Sequence, residues 1–320
     1  MIAKISMLAA ATLLAFAALH EPCMAEQSRD LGNNAALQYY SAFLQMKDAD
    51  LSDADVKELS EIISGARPYD DNKFGKLVED NAQAIETMLV GANLSQCDWG
   101  LAILAERFGP STPVPYFWRS RALGRLDILY VLRAWGRGER EKAVEALSDG
   151  LKFARHISSG GPLVPALIAK MLMLQQLSVA NRLLDSGKLT AQEKQTLRAA
   201  LDDLGADGLD WQAAANTEMK GIKLTVDQLR SARDPRQYYK TMLGKDAGEF
   251  HSVTTQDYTD AAKIASAYAK LFRDDNPEPV QRAISTATPL IQMIVPSPEK
   301  ALKSKQELKK AVEETRAKLH

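Results

Sequence analysis

LVPALIAKMLMLQQLSVANRLL, residues 163–184, is the stretch whose reading decides the fold. As a helix it is about 33 Å long at ~1.5 Å per residue, enough to cross a ~30 Å hydrocarbon core. Its ten Leu, Ile and Val residues favour insertion by roughly 3–6 kcal/mol in total. Lys170 near its centre costs ~2.5–3.5 kcal/mol, and Gln175, Gln176, Asn181 and Arg182 add to that cost. The balance fails. The segment reads instead as the central core helix of a soluble protein, apolar nearly all round because other helices surround it.

Working outward, nearly every segment reads at helical period, and no convincing run of alternating strand residues occurs. Upstream, Glu139 to Ile157 carries Ala143, Leu147, Leu151 and Ala154 on one stripe, and the turn Ser158-Ser159-Gly160-Gly161-Pro162 makes it a hairpin with the core helix. A helix from Pro115 to about Trp135 precedes it. Near the N-terminus, Asn33-Asn34 opens a helix with Leu37, Tyr40 and Leu44 on one face. Ser52 and Asp55 form a capping box for the next, which turns Val56, Leu59, Ile62 and Ile63 inward and ends at Gly65. A third, after Asp71-Asn72, uses Phe74, Leu77, Val78, Ile85, Met88 and Leu89 and stops at Gly91.

Downstream, Thr190 and Glu193 form a second capping box, opening a helix with Leu197, Ala200, Leu201 and Leu204 inward. Ala215, Met219, Ile222, Val226 and Leu229 follow at spacings of 4, 3, 4 and 3. That coiled-coil-like seam predicts a helix paired lengthwise with another, closed by Asp234-Pro235. A short helix at Tyr238-Tyr239, one from Thr255 to Phe272, and one from Pro277 to Val295 kinked at Pro289 come next. Ser297-Pro298 starts a last helix, with seven Lys/Arg against four Glu over residues 299–320. It reads as solvated and partly frayed, or else as a basic docking arm for an acidic surface. The expected fold is all-α: an array of antiparallel helical hairpins over 26–205, as a degenerate repeat or bundle, then a C-terminal long-helix sub-domain over 206–320.

The first 25 residues carry an address. Lys4 precedes a 15-residue apolar run, Ile5 to Leu19, and Cys23-Met24-Ala25 offers small residues around an A-x-A-like cleavage site. The run is too short to span unaided, and His20-Glu21-Pro22 before Cys23 departs from a lipoprotein signal. Cleavage after Ala25 and export to the periplasm or beyond is the expectation. The mature 295 residues keep the net charge at −1, since Lys4 and Glu21 leave together. That charge offers no electrostatic case for a nucleic-acid partner. Cys97 would then stand alone, without a disulfide partner.

No catalytic constellation stands out. Cys97 lacks the flanking signature of a cysteine hydrolase, so it reads as a small buried residue, with Asp98 capping a short helix and Trp99 packing down. His156 and His251 each stand apart in sequence, which gives no metal-ligand spacing and no implied cofactor. His156, at a helix end, reads as satisfying terminal carbonyls. Tyr116, Trp118, Arg121 and Arg125 are the candidate ligand residues: two like charges one turn apart call for something anionic, with aromatics as its wall. The blander alternative is ion pairing between the six arginines of 116–140 and the six acids of 47–61. Asp127, set between Leu126 and Ile128, is the one weak candidate for a general acid, and more simply a core salt bridge to an arginine.

Asn34-Ala35-Ala36 with Tyr39-Tyr40, then Cys97-Asp98-Trp99-Gly100, the arginine-bearing helix, Gly138 and Ala143, and the Gly161–Leu167 approach to the core helix resemble a loose group of exported bacterial helical proteins of unassigned activity. The resemblance covers about residues 33–205. Gly138–Ala154 also resembles one half of a tetratricopeptide hairpin, although no 34-residue period recurs and the Trp-Leu-Gly-Tyr signature is absent. The resemblance implies a helical-repeat or bundle fold and carries no functional residue. The expected function is non-catalytic: an exported binding or scaffolding protein that presents a helical surface to a protein or peptide partner in the cell envelope. The alternative is a cell-envelope hydrolase using a buried carboxylate and an arginine-lined site. A lipid-handling protein would need a large apolar cavity beside residues 163–184.

Overall fold

The computed structural model describes residues 32–47, 51–101, 104, 114, 116–243 and 252–319. The expected leader, its cleavage site, Pro115 and His251 lie outside the described residues. The protein is all-α, and among the described residues the only extended pairing is a single bridge between Asn34 and Gln96.

The N-terminal helices are α1 (Ala35–Gln45), α2 (Asp53–Ile63), α3 (Asp71–Asp80) and α4 (Ala82–Ala92). They are followed by α5 (Phe117–Gly136), α6 (Arg140–Ile157), α7 (Leu163–Asp185) and α8 (Ala191–Asp203). The packing partners sort these into two layers. One runs α1, α4, α6, α8, and the other runs α3, α5, α7, with α6 seated against both α5 and α7. Helix α7 is the decisive stretch of the sequence. It buries thirteen side chains, among them Ala169, Met173, Val179 and Ala180 at zero exposure, so in this fold it is a core helix.

The later helices are α9 (Trp211–Ser231), α10 (Pro235–Leu243), α11 (Thr255–Asp274), α12 (Glu278–Ser285), α13 (Pro289–Ile294) and α14 (Pro298–Ala317). The 4-3-4-3 seam of α9 is buried at all five positions, and α9 lies along α11. Helix α9 also touches α7, and one continuous hydrophobic cluster joins residues on both sides of position 205. The capping box of α8 forms as read: Glu193 N–H donates to Thr190 Oγ1 at 3.2 Å, and Thr190 N–H donates to the Glu193 carboxylate at 2.6 Å.

Several local expectations are corrected. Helix α1 buries Ala35, Ala36, Tyr39, Ala42 and Phe43, whereas Leu37 and Leu44 are exposed, the latter at 89%. The small residues decide this, because they let α1 close on Gly91 of α4, where an added Cβ would sit 2.8 Å from the Tyr39 ring. Gly91 therefore lies inside α4 and does not end it. The helix expected across 72–91 is two, broken at buried Asn81, whose amide accepts from Lys47 N–H at 2.7 Å and donates to Lys47 O at 2.8 Å. The helix expected across 277–295 is also two, α12 and α13. Thr288 between them donates its N–H to Asp260 and its hydroxyl to Asp257, at 2.8 and 2.5 Å, which fixes a break in place of a kink.

The last helix is the largest correction. Helix α14 packs on α7 and α11 and is not a solvated arm: Leu308 and Val312 are fully buried. Lys305 is buried too, and its ammonium donates to Phe272 O at 2.5 Å and Asp275 Oδ1 at 2.8 Å, with Asp207 at 3.3 Å. Burial pulls its pKa down, but these two carboxylates outweigh that and raise it. Arg198 donates to Leu319 O at 2.5 Å, and Lys318 pairs with Asp185 at 2.7 Å. Burial of Leu302, Leu308, Val312 and Leu319 is worth roughly 6–12 kcal/mol at ~1.5–3 kcal/mol each, comparable with the whole stability of a domain at about 5–15 kcal/mol. Removing residues 299–320 is therefore expected to abolish cooperative thermal melting by circular dichroism; a sharp, native-like transition in the truncated chain would show that α14 is dispensable.

Candidate functional site

Asp127 lies where α5, α6 and α7 approach one another most closely. Its side chain has no exposure, and its carboxylate Oδ2 accepts a 2.6 Å hydrogen bond from Gln176 Nε2 of α7. Gly150 of α6 closes the contact: a Cβ there would stand 2.3 Å from Asp127 Oδ2 and 2.5 Å from Gln176 Nε2. Among the described residues Asp127 makes no core salt bridge of the kind expected; an amide, Gln176, takes the place of the arginine. Without a cation, burial drives the carboxyl up to about 8, with the Gln176 bond opposing and Asp149 adding to the rise. Asp127 is thus largely a neutral acid at pH 7, sealed from each of the clefts described below.

The charge blocks also find partners other than those expected. The acids of 47–61 pair within the N-terminal helices, where Lys73 meets Asp55 and Glu58 at 2.7 Å each and Arg67 meets Glu58 at 3.0 Å. On α5 and at its C-terminal cap, Arg133 is held by Asp71 at 2.7 Å and by Glu79, and Arg137 by Asp71 at 3.1 Å, while Arg119 donates to Phe43 O at 3.3 Å. Proximity in the chain governs here: α3 lies beside both α2 and α5 and supplies the opposite charge to each.

Of the four candidate ligand residues, Tyr116 turns inward. It is fully buried and stacked on Trp99 with ring centroids 4.0 Å apart. Trp118 points outward at 71% exposure, with the Arg121 guanidinium 5.3 Å from its ring centroid, and Arg125 lies one turn beyond. The four therefore divide between an internal aromatic cluster and an external arginine pair.

The internal cluster holds the pairing that sequence spacing could not show. Cys97 and His156, 59 residues apart, come together: the thiol and the Trp99 indole N–H both donate to His156 O, at 3.5 and 2.7 Å. The imidazole Nδ1 of His156 and the Tyr39 hydroxyl share a hydrogen bond of 2.7 Å, so the ring serves α1 and does not cap its own helix end. Burial raises the Tyr39 pKa far above its ordinary value, so that hydroxyl keeps its proton. The same burial lowers His156 to about 4 and raises Cys97 to about 12. Near neutral pH Cys97 is thus a protonated thiol, and His156 an uncharged imidazole whose basicity burial weakens. Asn34 completes the cluster: it donates to Asp98 O, accepts from Asp98 N–H, both at 2.8 Å, and caps α1 through Ala36 N–H.

Three clefts bear on function. The largest, about 600 Å³, lies between α6 and α8, with Asn93, Glu145, Asp149, Lys152, Gln192, Gln195, Thr196 and Asp203 in its wall beside Ala199 and Ala200. Within it Lys152 donates to Asn93 at 2.7 Å and to Asp149 at 2.9 Å, and Asn93 donates to Asp149 at 2.8 Å. A second, about 450 Å³, opens over Cys97, Arg155 and His156. A third, about 410 Å³, is a groove along α7 lined by Ile63, Leu167, Met171 and Leu174, with Lys170, Gln175 and Ser178. Among the described residues no group of three His, Cys, Asp or Glu side chains could hold a metal ion.

Compared with known proteins, the chain matches no family model, no curated protein and no solved structure.

The raised pKa of Asp127 fixes a pH dependence. An acid whose pKa is higher folded than unfolded binds more protons in the native state, so its contribution to stability is complete below about 4 and declines as pH rises towards 8. The urea midpoint is therefore expected to fall between pH 6.5 and pH 8, above the range in which His156 contributes a slope of opposite sign, and Asp127→Asn, which keeps a neutral side chain of the same shape, to flatten that slope. An unchanged slope in the variant would mean that Asp127 is ionised in the fold.

Proposed function

We propose that the protein is an exported, non-catalytic binding or scaffolding protein that presents a helical surface to a protein or peptide partner of the cell envelope. The observation that carries this reading is the cleft between α6 and α8. Its wall offers amide, hydroxyl and carboxylate groups beside the apolar surface of Ala199 and Ala200, in a volume of about 600 Å³. An extended peptide offers an N–H and a C=O at every residue, and such a wall can satisfy both. Asp149 pairs with Lys152 and Asp203 with Arg155, while Glu145 has no ion pair among the described residues, which suits a segment carrying a lysine or arginine. Helices α5, α6 and α7 are read as the hairpins of a degenerate tetratricopeptide-like repeat, whose stacked faces are the usual place for such a groove. Residues 1–25 are read as a leader cleaved after Ala25, leaving a mature chain with no stable membrane span and no role for nucleic acid.

The envelope hydrolase is the weaker reading. It needs an acid that meets solvent, with a second acid or base beside it, and Asp127 is enclosed by Gln176 and Gly150.

Affinity capture of the mature chain from its native cell envelope, followed by mass spectrometry, tests the proposal. A stoichiometric protein partner is expected, and Gln195→Ala combined with Thr196→Arg should weaken its binding by roughly tenfold or more, as loss of interface hydrogen bonds does, with melting unchanged. Binding untouched by these substitutions, or a small molecule recovered in place of a protein, would overturn the reading.

A further inference from the structure

We propose that Arg121 and Arg125, walled by Trp118, form a binding site for a phosphate group, independent of the α6/α8 cleft. The other arginines of α5 and its C-terminal cap make the case by contrast. Arg119 has the Phe43 carbonyl, Arg133 has Asp71 and Glu79, and Arg137 has Asp71. Arg121 and Arg125 have no hydrogen bond or ion pair among the described residues, and the Arg121 Nε atom is buried without a partner. Neither is a freely solvated surface charge, for both are half-buried. Burial and then the charge of Arg121 lower the pKa of Arg125, and no carboxylate offsets them.

Two guanidinium groups one helical turn apart repel each other. The fold keeps them together and braces one of them, since the Arg121 guanidinium lies 5.3 Å from the Trp118 ring centroid. Such an arrangement is half of a recognition site. Guanidinium is a planar fork that matches the oxygens of a phosphate two at a time. A phosphate monoester carries about −1.5 to −2 charges at pH 7, enough to answer both arginines, whereas a carboxylate carries one. The exposed indole supplies an apolar flank for whatever bears the phosphate. Tyr116, buried under Trp99, is not involved.

The phosphate can come from a soluble molecule or from a lipid headgroup, and two probes separate these sources. Inorganic phosphate is titrated against the full mature chain, read by the shift in melting temperature and by tryptophan fluorescence. Vesicles of phosphatidylcholine, with and without phosphatidic acid, are tested by co-sedimentation. Saturable binding of phosphate, with a rise of a few degrees in melting temperature, supports a soluble ligand. Sedimentation only with phosphatidic acid vesicles supports a lipid headgroup. In either case Arg121→Gln and Arg125→Gln should each weaken binding by tenfold or more, and Trp118→Phe should remove the fluorescence change. Arg125→Lys, which keeps the charge and loses the fork, gives a second readout should the glutamine variants fold poorly, with weakened binding expected. Binding by neither probe, or binding equally strong in Arg125→Gln or Arg125→Lys, overturns the proposal.

Discussion

The approach of α6 to α5 and α7 at Gly150 is the constraint on which the rest of the structure depends. A side chain at this position would collide with both Asp127 and Gln176. With only a hydrogen there, the backbone of α6 covers their hydrogen bond and shuts out water. Gly124 has the same role about a turn before Asp127 on α5, where a Cβ would meet Leu172 of α7 at 2.6 Å. With these three helices in register, α4 and α8 can flank α6, and α3 and α14 can extend the opposite layer.

A polar pair at such a junction is a costly choice unless it is neutral. The protein meets that requirement twice. Asp127 sits opposite an uncharged amide and keeps its proton, and His156 sits opposite the Tyr39 hydroxyl and stays uncharged. In both places burial is the main cause of the shifted titration, and in both the side chain becomes a fixed hydrogen-bonding element, Asp127 in place of the weak general-acid candidate and His156 in place of a helix-end cap. Charged contacts between neighbouring helices lie at the surface for Lys73 and deeper for Arg133 and Lys305, each of which meets two carboxylates. The arginine pair on the outer side of α5 has no ion pair among the described residues, and for that reason function is sought there and in the cleft between α6 and α8, away from the core.

Features carried by local sequence were legible in advance. The Thr190–Glu193 box, the 4-3-4-3 seam of α9 and the burial of α7 depend on residues within one helix, and all three stand as read. Features decided by a distant partner were not. The inward face of α1 follows from Gly91, the break at Asn81 follows from Lys47, and the place of α14 follows from α7. The site shows the same division. Arg121 and Arg125 could be singled out by spacing, but the closeness of Cys97 to His156, and its chemical silence, required the fold. Nothing in the local sequence told Tyr116, which packs inside, from Trp118, which stands outside.

Helix α14 has a consequence for how the chain is made. It is the last helix described, yet it covers α7, which was synthesised well over a hundred residues earlier, and Lys305 locks it to the end of α11. Until the final turns emerge, the most apolar helix of the molecule lacks one of its walls. A nascent chain of this design cannot complete its core until residues 298–317 have left the ribosome. For an exported protein, as proposed above, that delay is useful: the earlier helices stay loosely packed until their last wall arrives.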